Sequence, residues 1–233
     1  DYGGRLSSIL DVTNLDGNRE EFEGTAAISL LSAKTTLQMP LGQRGSLSGS
    51  ARRTYFDQTV GRSLDDIPDY YFYDGNIKAY IELNDNNKLT LSGYGGRDFL
   101  DIIFNESADN DTGISTDWGN KTGSVRWTRV FSPRVFGNFW ITGSRFTSDF
   151  TFEEIDIFER NLVTDLTVKG NFEYIHSSAL TGKFGFEQKN LHVKFRQDFP
   201  GGLVDVDTRP EQYTLYGLGN WRPNSFWDIE AGL

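Results

Sequence analysis

The feature that most narrows the fold is a two-residue alternation, sustained over runs longer than the strands of most soluble domains. Between Leu162 and His176, one parity carries Leu166, Val168, Gly170, Phe172 and Tyr174, and the other carries Asp165, Thr167, Lys169, Asn171 and Glu173. Successive side chains of a strand point to opposite faces, so this run has one apolar wall and one charged wall. Tyr71 to Leu83 repeats the pattern, with Tyr71, Tyr73, Gly75, Ile77, Ala79, Ile81 and Leu83 opposed by Asp74, Asn76, Lys78, Tyr80 and Glu82. Val135 to Asp149 separates less cleanly, because Phe136 and Trp140 share a parity with Asn138 and Thr142. A wall of this kind suits a barrel that meets lipid outside and water or packed polar protein inside.

Reversal signals divide the chain. Tight-hairpin signals stand at Gly42 to Arg44, Asn84 to Asn87, Ser132 to Arg134, Ser177 to Ala179 and Arg222 to Ser225. Between them lie polar segments rich in Asp, Asn, Gly or Pro, expected as long exposed loops: Asp57 to Asp69, Asn105 to Asp117, Glu154 to Asn161 and Pro200 to Gln212. With turn centres at 43, 86, 133, 178 and 224, the spacings are 43, 47, 45 and 46 residues, each covering two strands and one long loop. A soluble sandwich places its turn signals about 8 to 12 residues apart. Expected for this chain are about eleven long antiparallel strands of a transmembrane barrel.

Composition agrees with that geometry. Mean hydropathy is only −0.48, while 18 Phe, 10 Tyr and 5 Trp make the chain rich in large rings. Alternate residues facing water keep the average low. Phe131, Phe136, Tyr174, Trp221, Phe226 and Trp227 crowd the short-turn ends, where an interfacial girdle of a barrel would lie. No run of 18 apolar residues and no basic-then-apolar leader occurs, so the sequence is expected to begin inside a longer precursor, without helical spans. With helices excluded, a closed barrel is the structure that pairs every backbone group within lipid.

The same residues exclude several chemistries. A net charge of −10 with no concentrated basic surface argues against nucleic acid as a partner. Without cysteine there is neither a disulfide framework nor a thiolate site. His176 and His192 stand on different strands and lack metal-ligand spacing, so no metal site, cofactor or catalytic residue is expected. Asp109 to Gly113 offers oxygens but falls short of a complete calcium loop. Gly93, Gly95 and Gly96 form a strand cluster rather than a phosphate loop.

The opening segment, Tyr2-Gly3-Gly4-Arg5-Leu6-Ser7-Ser8-Ile9-Leu10-Asp11-Val12 followed by Asp16-Gly17-Asn18, resembles the end of the plug domain in TonB-dependent outer-membrane receptors. Gly24 to Leu41 and Ser50 to Tyr55 resemble the first barrel strands of that family. The resemblance implies a plug end over residues 1–20, with Tyr2, Gly3, Gly4 and Arg5 as its motif, and the first half of a 22-stranded barrel over residues 21–233. It further implies outer-membrane lipid as surroundings, a small-molecule ligand, and energy from a TonB–ExbB–ExbD complex reached through a missing N-terminal segment. Ligand contacts are expected in the loops around Asp65, Asp111, Glu154 and Asp205. Arg52 and Arg53 differ in parity, so at most one of them faces the lumen. The alternatives are a passive outer-membrane channel and a soluble all-β binding domain.

Overall fold

The structure, a computed structural model, describes residues 14–55, 58–59, 68–105 and 112–233. They build one antiparallel sheet. Its strands are β1 (Glu23–Ile28), β2 (Ser32–Pro40), β3 (Gly45–Thr54), β4 (Asp69–Asn84), β5 (Asn87–Asn105), β6 (Thr112–Ser132), β7 (Val135–Phe152), β8 (Ile157–Ser177), β9 (Leu180–Phe199), β10 (Gly202–Thr208), β11 (Glu211–Asn224) and β12 (Trp227–Gly232). Each pairs with its neighbour in sequence up to β9, after which β9 pairs with both β10 and β11, and β11 with β12. None of the described helices is long and apolar enough to cross a membrane.

The twelve segments form eleven ladder positions. Thr208 faces Val193 and Glu211 faces Asn190, the register a single uninterrupted strand would keep. Across the gap the Leu191 amide donates to the Pro210 carbonyl. β10 and β11 are therefore collinear halves of one strand, broken where Pro210 has no N–H to return to the ladder.

Burial is inverted relative to a soluble domain. Ile77, Ile141 and Leu166, all in interior strands, are 53%, 55% and 50% exposed, whereas Lys78 and Asn171 are 6% and 4% exposed. Tyr80 is the one buried hydrophobic among the described residues. Water would disfavour so much exposed apolar surface by about 25 cal/mol per Å², and lipid removes that cost. The register carries the apolar face from strand to strand: Ala79, Leu91, Val125, Ile141 and Val168 form one continuous row. The chain is an antiparallel β-barrel fragment with its apolar face outward.

Parity settles the face that β7 left open. Ile141 lies beside Val125 and Val168, so odd-numbered positions of β7 point outward and Trp140, Asn138 and Phe136 point inward. Phe136 is thus not part of the outer aromatic girdle. Phe131 and Phe172 are, with ring centroids 5.8 Å apart, and Arg129 lies 5.0 Å over the Phe131 ring.

All five tight turns fall where expected. Two expected loops do not exist as loops. Glu154 belongs to a single 3-10 turn, Glu153–Ile155, and β8 begins at Ile157 opposite Phe152. Asp205 lies in β10 opposite Arg196, and the Pro200 to Gln212 segment reverses within Pro200–Gly201, where Gly201 has φ of 110°. Glycine adopts that left-handed conformation without steric cost. Part of a third expected loop, from Thr112, is already β6. Tyr2, Gly3, Gly4, Arg5, Asp65 and Asp111 lie outside the described residues.

Candidate functional site

The inner wall is the candidate site, and its polar character comes directly from strand parity. Inward residues hydrogen-bond across the strands: Asn76 Nδ2 donates to Ser50 Oγ at 2.7 Å, and Arg52 Nε to Asp74 Oδ2 at 2.8 Å. Further round the wall, Thr128 Oγ1 donates to Asn138 Oδ1 at 2.8 Å. Lys189 lies 3.7 Å from Glu187 and 3.9 Å from Asp165. Arg53, of opposite parity to Arg52, stacks outward over Tyr71 at 5.4 Å.

Residues 14–20 lie against this wall, before β1. Lys78 Nζ meets Asp16 Oδ1 at 2.8 Å and also donates to the Asn14 carbonyl. Ser48 Oγ donates to the Leu15 carbonyl at 3.1 Å. Arg19 stacks 4.5 Å over the Tyr80 ring and donates to Glu82 Oε1 at 3.1 Å. At Gly17 the two backbones nearly touch, since an added Cβ would stand 2.4 Å from the Leu47 carbonyl oxygen. A nearly buried ammonium is stable only when paired, and Asp16 supplies the charge.

Among the described residues, three buried polar atoms of the wall have no hydrogen-bond partner: Ser46 Oγ, Arg126 Nε and Tyr216 OH. By register all three belong to inward positions, opposite Tyr80, Thr90 and Gly185 respectively. Such groups cost about 1–3 kcal/mol each unless water or another polar layer meets them.

Sequence reasoning found Asp16-Gly17-Asn18 but not its partner Lys78, because the contact joins residues far apart in the chain. Of the four loop positions, Glu154 stands at the end opposite the short turns and Asp205 in the outward wall. His192, a strand-surface residue, holds Asp207 at 2.7 Å. Hydrogen bonds from Lys194 and His192 keep the Asp207 carboxyl below its ordinary range.

No family model and no curated protein matches the chain. Solved structures do match. The ferric yersiniabactin uptake receptor FyuA of Yersinia pestis superposes with a TM-score of 0.56 at 11% identity, over 86% of this chain and 36% of that one. The siderophore receptor PiuA of Acinetobacter baumannii gives 0.59 at 11%, over 94% and 43%. The open form of the ferric-catecholate import receptor Fiu of E. coli K12 gives 0.56 at 10%, over 93% and 47%. This chain thus spans 36 to 47% of the length of these receptors. At such identity the likeness is one of fold, and it is the fold of a β-barrel wall found in uptake receptors.

Proposed function

We propose that this chain is the first half of the barrel of a TonB-dependent receptor in the outer membrane of a Gram-negative bacterium. It imports a scarce small nutrient, such as a siderophore, vitamin or oligosaccharide. The observation that carries the reading is the path of residues 14–20, which approach β1 along the inner wall and are held there by Lys78. A chain that enters its barrel from the lumen is suited to follow a domain folded inside it. Residues 1–20 are then the end of that domain, the plug, and the TonB–ExbB–ExbD complex acts through a segment further upstream.

The test is uptake by cells expressing the full-length protein, with and without TonB, supplied with iron-55-loaded siderophores, cobalamin and labelled oligosaccharides in turn. Accumulation of one of them only in TonB-containing cells is expected. Equal accumulation without TonB, together with steady conductance in planar bilayers, would replace the reading with a passive channel.

A further inference from the structure

Lys121 of β6 and Arg145 of β7 are direct cross-strand partners. Both are exposed and share the outward parity of Val125 and Ile141. Like charges directly opposite one another are destabilising. No outward carboxylate adjoins this pair: its outward neighbours in the two adjoining rows are Gly119 and Thr147 on one side, Gly123 and Gly143 on the other. Among the described residues neither cation forms an ion pair. Other outward cations of the wall do, since Arg97 holds Asp117, Arg160 holds Asp149 and Lys194 holds Asp207.

The height of the pair says what compensates it. From Phe131, in the aromatic girdle at the short-turn end, Lys121 lies ten residues along β6. That is about 33 Å along the strand, and about 25 Å along the membrane normal at a tilt of about 40°. An outward apolar band is about 25 Å tall, so the two cations stand at its opposite edge, where lipid phosphates lie. Beneath them the wall is open, because a Cβ added at Gly123 or Gly143 would meet nothing within 4 Å. A shallow depression results, whose lining includes Lys121, Gly123, Gly143, Arg145 and Leu166 and, from the inward parity, Asp165.

We propose that Lys121 and Arg145 clamp the phosphate of an anionic lipid headgroup, in the leaflet opposite the short turns, with an acyl chain lying over Gly123 and Gly143. The guanidinium and ammonium supply charge-assisted donors, and the phosphate removes their mutual repulsion. The proposal rests on the membrane-spanning reading of the wall, and not on import.

The test uses the full-length protein in nanodiscs of phosphatidylcholine doped with phosphatidic acid, the bound lipid being counted by native mass spectrometry. Preferential retention of phosphatidic acid is expected. Each charge near the surface contributes about a fivefold gain, so Lys121→Gln or Arg145→Gln should weaken retention by about fivefold and the double variant by roughly 30-fold. Arg97→Gln, whose cation already has Asp117, should leave retention unchanged. Undiminished retention in the double variant overturns the proposal. So does equal displacement of the lipid by millimolar inorganic phosphate, which would mean a free-anion site. Loss of TonB-dependent uptake bears only on the import reading, whereas lipid retention is read without transport.

Discussion

Lys78 Nζ, nearly buried in the inner wall, stands 2.8 Å from Asp16 Oδ1 on the segment that precedes the barrel. Removing one partner of such a pair costs more than the pair contributes, because the other charge is stranded. Asp16 is half exposed, so the cost is moderate: Asp16→Ala should destabilise the full-length protein by about 1–3 kcal/mol. It should also open residues 14–20 to protease. Unchanged proteolysis at this segment would show that it is held elsewhere.

Strand parity makes opposite forecasts for adjacent residues of β8. Val168 points outward beside Ile141, while Lys169 points inward, 6.0 Å from the Trp140 ring. An Arg on the lipid face near mid-band costs about 2–4 kcal/mol. Val168→Arg should therefore lower stability in vesicles by that amount, and Lys169→Ala by less than about 1 kcal/mol. Equilibrium unfolding from phospholipid vesicles measures both. A harmless Val168→Arg would invert the face assignment.

Orientation follows from the two ends of the wall. Short turns of outer-membrane barrels face the periplasm, so the Asn86 turn and the Glu154 turn should lie on opposite sides. In intact cells carrying the full-length protein, an impermeant thiol reagent should label Glu154→Cys and spare Asn86→Cys. Labelling in the reverse sense refutes the orientation.

Gly185 lies under Tyr216 on the inner wall, and an added Cβ would stand 2.3 Å from the ring. Gly185→Ala forces that ring aside and should cost about 1–3 kcal/mol. In the Tyr216→Ala background the same substitution should be nearly neutral, since the obstruction is gone. Additive losses in a double-mutant cycle would show that the ring does not depend on the glycine.

The alternation of β4 and β8 was legible because lipid and lumen demand opposite chemistries of neighbouring residues. The five tight turns were legible for a related reason, as short reversals leave little room for sequence variation. The segments around Glu154 and Asp205 read as loops because the strands continue beyond the apolar band, where both faces are wet. There, Asp205 and Asp207 are ordinary strand residues opposite Arg196 and Lys194. Polarity alone does not separate a solvated strand from a loop. The Lys78–Asp16 contact escaped sequence reasoning for a different reason: nothing local to either residue specifies a partner so distant along the chain.

Pro210 sits opposite Leu191, between Asn190 and His192 of β9, which is also the height at which the outward wall changes from apolar to charged. One rung of the ladder is half made at that point, since proline accepts but does not donate. Opening of β10 therefore has a natural stopping place: fraying that starts at Pro200–Gly201 meets a weakened rung at the bilayer edge before it reaches β11. The exposed part of the wall is free to breathe as its own cooperative unit, with amides that exchange readily, while the part within lipid stays closed.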